Sequence, residues 1–275
     1  MPADGVAKPV ITAADKCSIE NLTITKASAG SRAAILLKGN NALVRHNVIT
    51  GNFTSAIAVE GGASVHTPME RSSVFSRMFS NKGATIVLNS ARPVITNNRI
   101  NSNSKSGILV TNASPVIEGN QICYNADTGI SIVAPLAAMS KSPDNQQIAS
   151  SQPQIRDNQI LDNRGAAVMC ESVSPVITGN TMRSKAKPCL LLFNSNAVVQ
   201  KNKFTTSGMP AVQIDGRSAP IIEDNVMTGA RRFPVLGESK KAVVRNNRVI
   251  GGWSPGSGVT DLLDKSATPA KVPLK

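Results

Sequence analysis

Apolar and polar residues alternate along this chain in stretches of three or four, and the stretches recur. The clearest runs from Pro93 to Ile100 as P-V-I-T-N-N-R-I. It returns as P-V-I-E-G-N-Q-I around Asn120, P-Q-I-R-D-N-Q-I around Asn158, P-V-I-T-G-N-T-M around Asn180, A-V-V-Q-K-N-K-F around Asn202, P-I-I-E-D-N-V-M around Asn225 and A-V-V-R-N-N-R-V around Asn247. An earlier copy, A-L-V-R-H-N-V-I, surrounds Asn47. From Asn98 onward the asparagines stand 22, 38, 22, 22, 23 and 22 residues apart, so the unit is about 22 residues with one insertion. The interval of 51 from Asn47 to Asn98 asks for two units and a second insertion. V-F-S-R-M-F, Val74 to Phe79, fits the missing copy, with Arg77 replacing the asparagine. Between asparagines lies a second phrase: A-I-L-L (34 to 37), A-I-A-V (56 to 59), T-I-V-L (85 to 88), G-I-L-V (107 to 110), G-I-S-I (129 to 132), A-V-M-C (167 to 170), C-L-L-L (189 to 192) and A-V-Q-I (211 to 214).

These stretches are too short and too rich in β-branched residues for helices, and Asn, Gly, Ser and Lys break them. Strand, turn, strand, turn, repeated one layer up, predicts an all-β fold: a single-stranded right-handed parallel β-helix, a solenoid. With the opening S-I-E-N-L-T-I (18 to 24) and the Arg77 copy the count is about ten coils. At about 4.8 Å per strand the rod is roughly 50 Å long. The predicted division is an N-terminal cap over 1–16, the β-helix over 17–250 with loop insertions near 60–72 and 134–151, and a C-terminal cap and tail over 251–275 that contains Trp253, the only tryptophan.

A lone coil cannot bury its apolar side chains, so each depends on the coils above and below. Alternation turns Ile95, Ile100, Ile108 and Val110 inward and Val94, Thr96 and Leu109 outward. Asn47, Asn98, Asn120, Asn158, Asn180, Asn202, Asn225 and Asn247 are expected to form a structural ladder, each amide bonding the main chain or the next asparagine. On the outside, Val94, Val116, Val176, Val198, Ile221 and Val243, interrupted by Gln154, form a candidate apolar docking stripe. A second stripe gathers Leu36, Ala58, Val87, Leu109, Met169 and Leu191.

The net charge of +13, with 30 basic and 17 acidic residues, points to a polyanionic neighbour. A candidate basic face collects Arg99, Arg183, Lys185, Lys187, Lys203, Arg231, Arg232, Lys240, Lys241 and Arg248. Cys17, Cys123, Cys170 and Cys189 have neither paired metal-ligand spacing nor a disulfide framework, and only His46 and His66 could join them. They read as free thiols, with no metal or cofactor expected. No apolar run approaches a membrane span and the first residues lack a secretory core, so a cytoplasmic protein is expected, with the cytoskeleton as its candidate association.

The copies S-P-V-I-E-G-N-Q-I and S-P-V-I-T-G-N-T-M resemble the right-handed parallel β-helix repeats of pectin-lyase-like proteins, especially those of F-box β-helix and nitrous-oxide-reductase maturation proteins. The resemblance covers roughly residues 17 to 250. It implies the fold, while the repeat serves lyases, hydrolases, epimerases and binding rods alike. Hydrolases of this fold carry clustered aspartates with G-H-G and R-I-K, and none of these stretches is present here. Asp157 and Asp162 flank a ladder asparagine, and adjacent Glu223 and Asp224 point to opposite faces. Glu118 and Glu223 share a slot but lie near 20 Å apart, beyond any paired-carboxylate mechanism. No F-box-like segment precedes the repeats, so that adaptor role is not carried over.

The expectation is therefore a non-catalytic basic scaffold or structural subunit of a large intracellular assembly. Its partner would be an acidic protein surface such as the microtubule. The alternative is a polysaccharide-binding or polysaccharide-active β-helix, and the third reading an RNA-associated subunit. Aromatic residues at 3% leave little to stack on sugars or bases.

Overall fold

The chain winds through three faces in strict rotation, and each face is a parallel sheet of nine strands. This is a computed structural model, and it describes residues 7–39, 41–61, 65–66, 85–86, 92–134, 152–230, 233–237, 239 and 241–251. Sheet A begins at Ile11–Ala13 and ends at Val235–Leu236, sheet B runs from Ser18–Glu20 to Val243–Arg245, and sheet C from Thr23–Ile24 to Arg248–Ile250. Every strand in these sheets pairs with its counterpart one turn later, in parallel and without slippage. We number the coils 1 to 9 by their sheet B strands, which begin at Ser18, Leu43, Val94, Val116, Gln154, Val176, Val198, Ile221 and Val243.

Strands of two to six residues suffice because all but the end strands have a neighbour on both sides and each turns one or two side chains inward per layer. The inward column of sheet B is Ile19, Val44, Ile95, Ile117, Ile155, Ile177, Val199, Ile222 and Val244, and all nine are buried. Sheet C contributes Ile49, Ile100, Ile122, Ile160, Met182, Phe204 and Met227, and sheet A a double column such as Ile108 with Val110 and Leu190 with Leu192. Burying each aliphatic side chain contributes about 1.5–3 kcal/mol.

Among the described residues the rod has nine coils, against the count of about ten. The strand Leu43–Arg45 pairs directly with Val94–Thr96, and Ser55–Glu60 directly with Ile108–Thr111. No coil therefore separates Asn47 from Asn98. Arg77 lies outside the described residues. Thr85–Ile86, expected in the second phrase, instead pairs antiparallel with Val65–His66. The first insertion lies between the strands Ser55–Glu60 and Val94–Thr96, and Val87 lies outside the described residues. Apolar alternation misled here because a short hairpin and a solenoid strand share period two. At the N-terminus, Ile11–Ala13 pairs with Ile35–Leu37, so the stack starts before residue 17.

Both insertions leave at the corner between sheets A and B, after coils that are two layers apart. The corner between B and C is uniform. Asn21, His46, Asn97, Gly119, Asp157, Gly179, Lys201, Asp224 and Asn246 all adopt positive φ between 54° and 69°. Glycine, asparagine and aspartate tolerate that conformation, and they fill seven of these nine places.

Candidate binding surface

Directly after each left-handed residue comes the ladder. Asn98 Nδ2 donates to Asn120 Oδ1 at 3.0 Å, to Val44 O at 2.9 Å and to Thr96 O at 3.0 Å. The Asn98 N–H also donates to Asn120 Oδ1, at 2.9 Å. The same pattern links Asn47 to Asn98 and continues through Asn158, Asn180, Asn202, Asn225 and Asn247. At its start the Leu22 N–H donates to Asn47 Oδ1. All eight asparagines are buried, so they serve the backbone and offer nothing to a ligand.

A second ladder escaped the sequence reading. Asn52, Asn103, Asn125 and Asn163 stack at the corner between sheets C and A, each amide bonding to the next. The signal was present: each stands five residues after a first-ladder asparagine. It ends at Asn163 because coil 6 carries Lys185 at that place, and the sheet C strand lengthens to Thr181–Ser184 instead.

The outer face of sheet B carries two columns. The first is Leu43, Val94, Val116, Gln154, Val176, Val198, Ile221 and Val243, paired coil to coil. None of these is buried, and Val243 is 43% exposed. The second column reads Glu20, Arg45, Thr96, Glu118, Arg156, Thr178, Gln200, Glu223 and Arg245. Its charges bond between adjacent layers: Arg45 to Glu20 at 2.7 Å, Arg156 to Glu118 at 2.9 Å and Arg245 to Glu223 at 2.5 Å. The Arg45 guanidinium holds the Glu20 carboxyl below its ordinary value, and Arg245 does the same for Glu223. Sheet B is therefore charge-balanced. On sheet A the outer column contrasts with this, since Ala58, Ser131 and Met169 are buried.

Positive charge gathers on the third side. Arg99, Lys203 and Arg248 share one outer column of sheet C, in coils 3, 7 and 9. Arg183 stands in the other column and bonds Asp162, which raises its own affinity for its proton. Lys26, Arg32, Lys105, Arg164, Lys185 and Lys187 line the adjoining corner between sheets C and A. Among the described carboxylates Asp127 and Asp162 stand on this side, and Glu60, at the end of a sheet A strand, bonds Arg32. Lys241 lies at the corner between A and B, away from the basic side, while Arg231, Arg232 and Lys240 lie outside the described residues. The exposed aromatics Phe53, at 58%, and Tyr124, at 62%, also occupy the basic corner.

Among the described residues the carboxylates do not converge into a reactive set. Asp157 sits at the B–C corner and Asp162 at the C–A corner of the same coil. Glu171 is half-buried and burial raises its pKa, with Arg217 opposing and Asp215 adding to the rise. Burial also works against ionisation of Asp215, but Ser218, the Asn194 N–H and Arg217 outweigh it, and its pKa falls below the ordinary value. No group of three or more His, Cys, Asp or Glu among the described residues is placed to hold a metal ion. No helix among them is long and apolar enough to cross a membrane. The cysteines are free, and burial pushes the Cys189 thiol up to about 12 and Cys170 higher still.

Three parallel sheets stacked without slippage match a family description, right handed beta helix region, over residues 33–195 and 170–265. The chain belongs to the right-handed β-helix family. No curated protein and no solved structure matches it. In this β-helix protein the outward columns and corners, rather than the buried amides, differ from layer to layer and are where a partner would be read.

Proposed function

We propose that this β-helix is a non-catalytic, rigid scaffold subunit that holds an acidic partner against sheet C and the corner leading to sheet A. One observation carries the reading: among the described residues nine basic side chains from coils 1 to 9 share that side with two carboxylates, while a tenth, Arg32, is bonded to Glu60. Positive fields of this kind steer acidic surfaces and give attraction that salt screens. An acidic protein polymer such as the microtubule has the matching charge and length. A rod whose coils are locked by amide ladders contributes rigidity, so binding costs little conformational entropy.

Co-sedimentation of the full chain with microtubules tests this. Binding should weaken at least tenfold when Lys185, Lys187 and Lys203 become Glu, and it should fall steeply between 50 and about 200 mM salt. Binding to no acidic polymer, or binding indifferent to these changes, would sink the reading. Phe53 and Tyr124 favour a second one, an acidic polysaccharide whose rings stack on them while the lysines and arginines meet its carboxylates. Retention on a uronate polymer that is lost in Phe53→Ala/Tyr124→Ala would select it. Preference for single-stranded RNA over both would select the third reading.

A further inference from the structure

We propose that the outer face of sheet B is the contact between two copies of this chain, packed face to face with their rods antiparallel. This goes beyond the scaffold reading and uses a different face. The argument is the order of side chains along the two outer columns. A two-fold axis parallel to the strands, passing through coil 5, lays coil n of one copy on coil 10 − n of the other, and each column on itself. In the apolar column this places Leu43 against Ile221, Val94 against Val198 and Val116 against Val176. Gln154, the one polar break between Leu43 and Val243, falls at the centre and meets its own copy, where two side-chain amides can exchange hydrogen bonds.

The charged column is complementary under the same operation. Glu20 of coil 1 faces Arg245 of coil 9, and Arg45 of coil 2 faces Glu223 of coil 8. The two Arg156 side chains meet at the axis, each already held by Glu118 of its own chain. Thr96 faces Gln200 and Glu118 faces Thr178, and Ser18 against Val243 is a mismatch at the rim. A two-fold axis along the rod would either lay the apolar column of each copy on the charged column of the other and bury ion pairs against valines or, set over the apolar column, leave the two charged columns unmatched at opposite rims. The antiparallel arrangement is therefore the self-complementary one.

Packed sheets stand about 10 Å apart, a distance that long Glu and Arg side chains span and that interdigitated valines fill. Nine strands at about 4.8 Å, with about five residues across each strand and its turns, give roughly 700 Å² per copy. A stable protein interface takes about 800 Å² per partner, so the face is of the right size. The basic sides remain outside, one on each rod, which spares the pair their mutual repulsion.

Light scattering on the eluting full chain should give a particle of twice the 28.8 kDa chain mass at tens of micromolar. Val116→Lys/Val176→Lys should return it to 28.8 kDa with an unchanged strand signal by circular dichroism, because both side chains point outward. Register is read by a short bis-maleimide cross-linker in a Cys17→Ser background. Gln154→Cys should cross-link to itself. Val94→Cys alone should not, but an equal mixture of Val94→Cys and Val198→Cys chains should. A monomer at these concentrations, a dimer that survives the two lysines, or cross-linking of Val94→Cys by itself would overturn the proposal. Because microtubule binding is read on the basic side, the monomeric variant also separates this inference from the scaffold reading: it can lose the dimer and keep the partner.

Discussion

A single ladder asparagine bonds the backbone of its own coil and of both neighbouring coils. Asn180 accepts from the N–H and the amide of Asn158 and donates to Ile155 O, Thr178 O and Asn202 Oδ1, all while buried. Asn180→Ala takes the acceptor from the buried Asn158 N–H and a donor from Ile155 O, whereas the Asn158 amide keeps Ile117 O and Arg156 O and Thr178 O keeps the Asp157 N–H. At about 1–3 kcal/mol for each orphaned group the variant should lose about 2 kcal/mol or more in urea unfolding, and Asn180→Leu should not recover it, since volume is not what is missing. The residue before the ladder behaves oppositely. Lys201 holds φ at 56°, where an L-side chain costs about 1–2 kcal/mol, so Lys201→Gly should raise stability by about 0.5–1 kcal/mol after the entropy of glycine is subtracted. At Gly179, with φ at 69°, a new Cβ would run into the Asp157 carboxylate, and Gly179→Val should lower the melting temperature. Asp215 gives the pH dependence. Its folded pKa lies below the unfolded value, so its contribution is present above about pH 4 and lost as pH falls through the folded pKa. Asp215→Asn should therefore lose less stability than the native chain between pH 6 and pH 3. Glu171 has the reverse sign: its raised pKa favours the fold in acid and is lost as pH rises, so Glu171→Gln should help near neutrality.

At the scale of the element, a strand of three residues is set by its neighbours. Isolated, V-I-T has no partner and no buried face; stacked, it donates and accepts on both edges. This is why Thr85–Ile86, with the same alternation, can belong to an antiparallel hairpin instead. Removing residues 63–91 tests the correction. It leaves Gly61, Gly62, Arg92 and Pro93 between the strands, the length of the ordinary corner over 112–115. The shortened chain should unfold cooperatively with a similar denaturant slope, because no coil is lost. Thiol chemistry reads the same packing. Cys170 and Cys189 lie inside sheet A strands or at their entry, so in the native chain at pH 8 Cys17 should react with a maleimide long before them.

Across the whole molecule, three sides with different chemistry share one backbone path. Sheet B is apolar and charge-balanced, sheet C with its corner is basic, and the outer column of sheet A is partly buried. Because each coil touches only its neighbours, stability should scale with their number. Deleting one unit of 22 residues, 176 to 197, should give a folded but less stable rod with a smaller denaturant slope, whereas deleting half a unit should prevent folding.

The repeat in the linear chain was enough to fix the winding, the inward columns and the first asparagine ladder, because a solenoid turns spacing along the chain directly into position along the rod. Ile95, Val94 and Asn98 could be assigned from alternation and a period of 22. Spacing could not distinguish a layer from an insertion between Asn47 and Asn98, since only the pairing of Leu43–Arg45 with Val94–Thr96 decides which strands are neighbours. Nor could it sort the charges. Arg156 and Lys187 read alike in the sequence, yet Arg156 is neutralised by Glu118 from the layer below and Lys187 stands on the basic corner. Electrostatic balance depends on distance through space, and the partners here lie 21 to 38 residues apart along the chain.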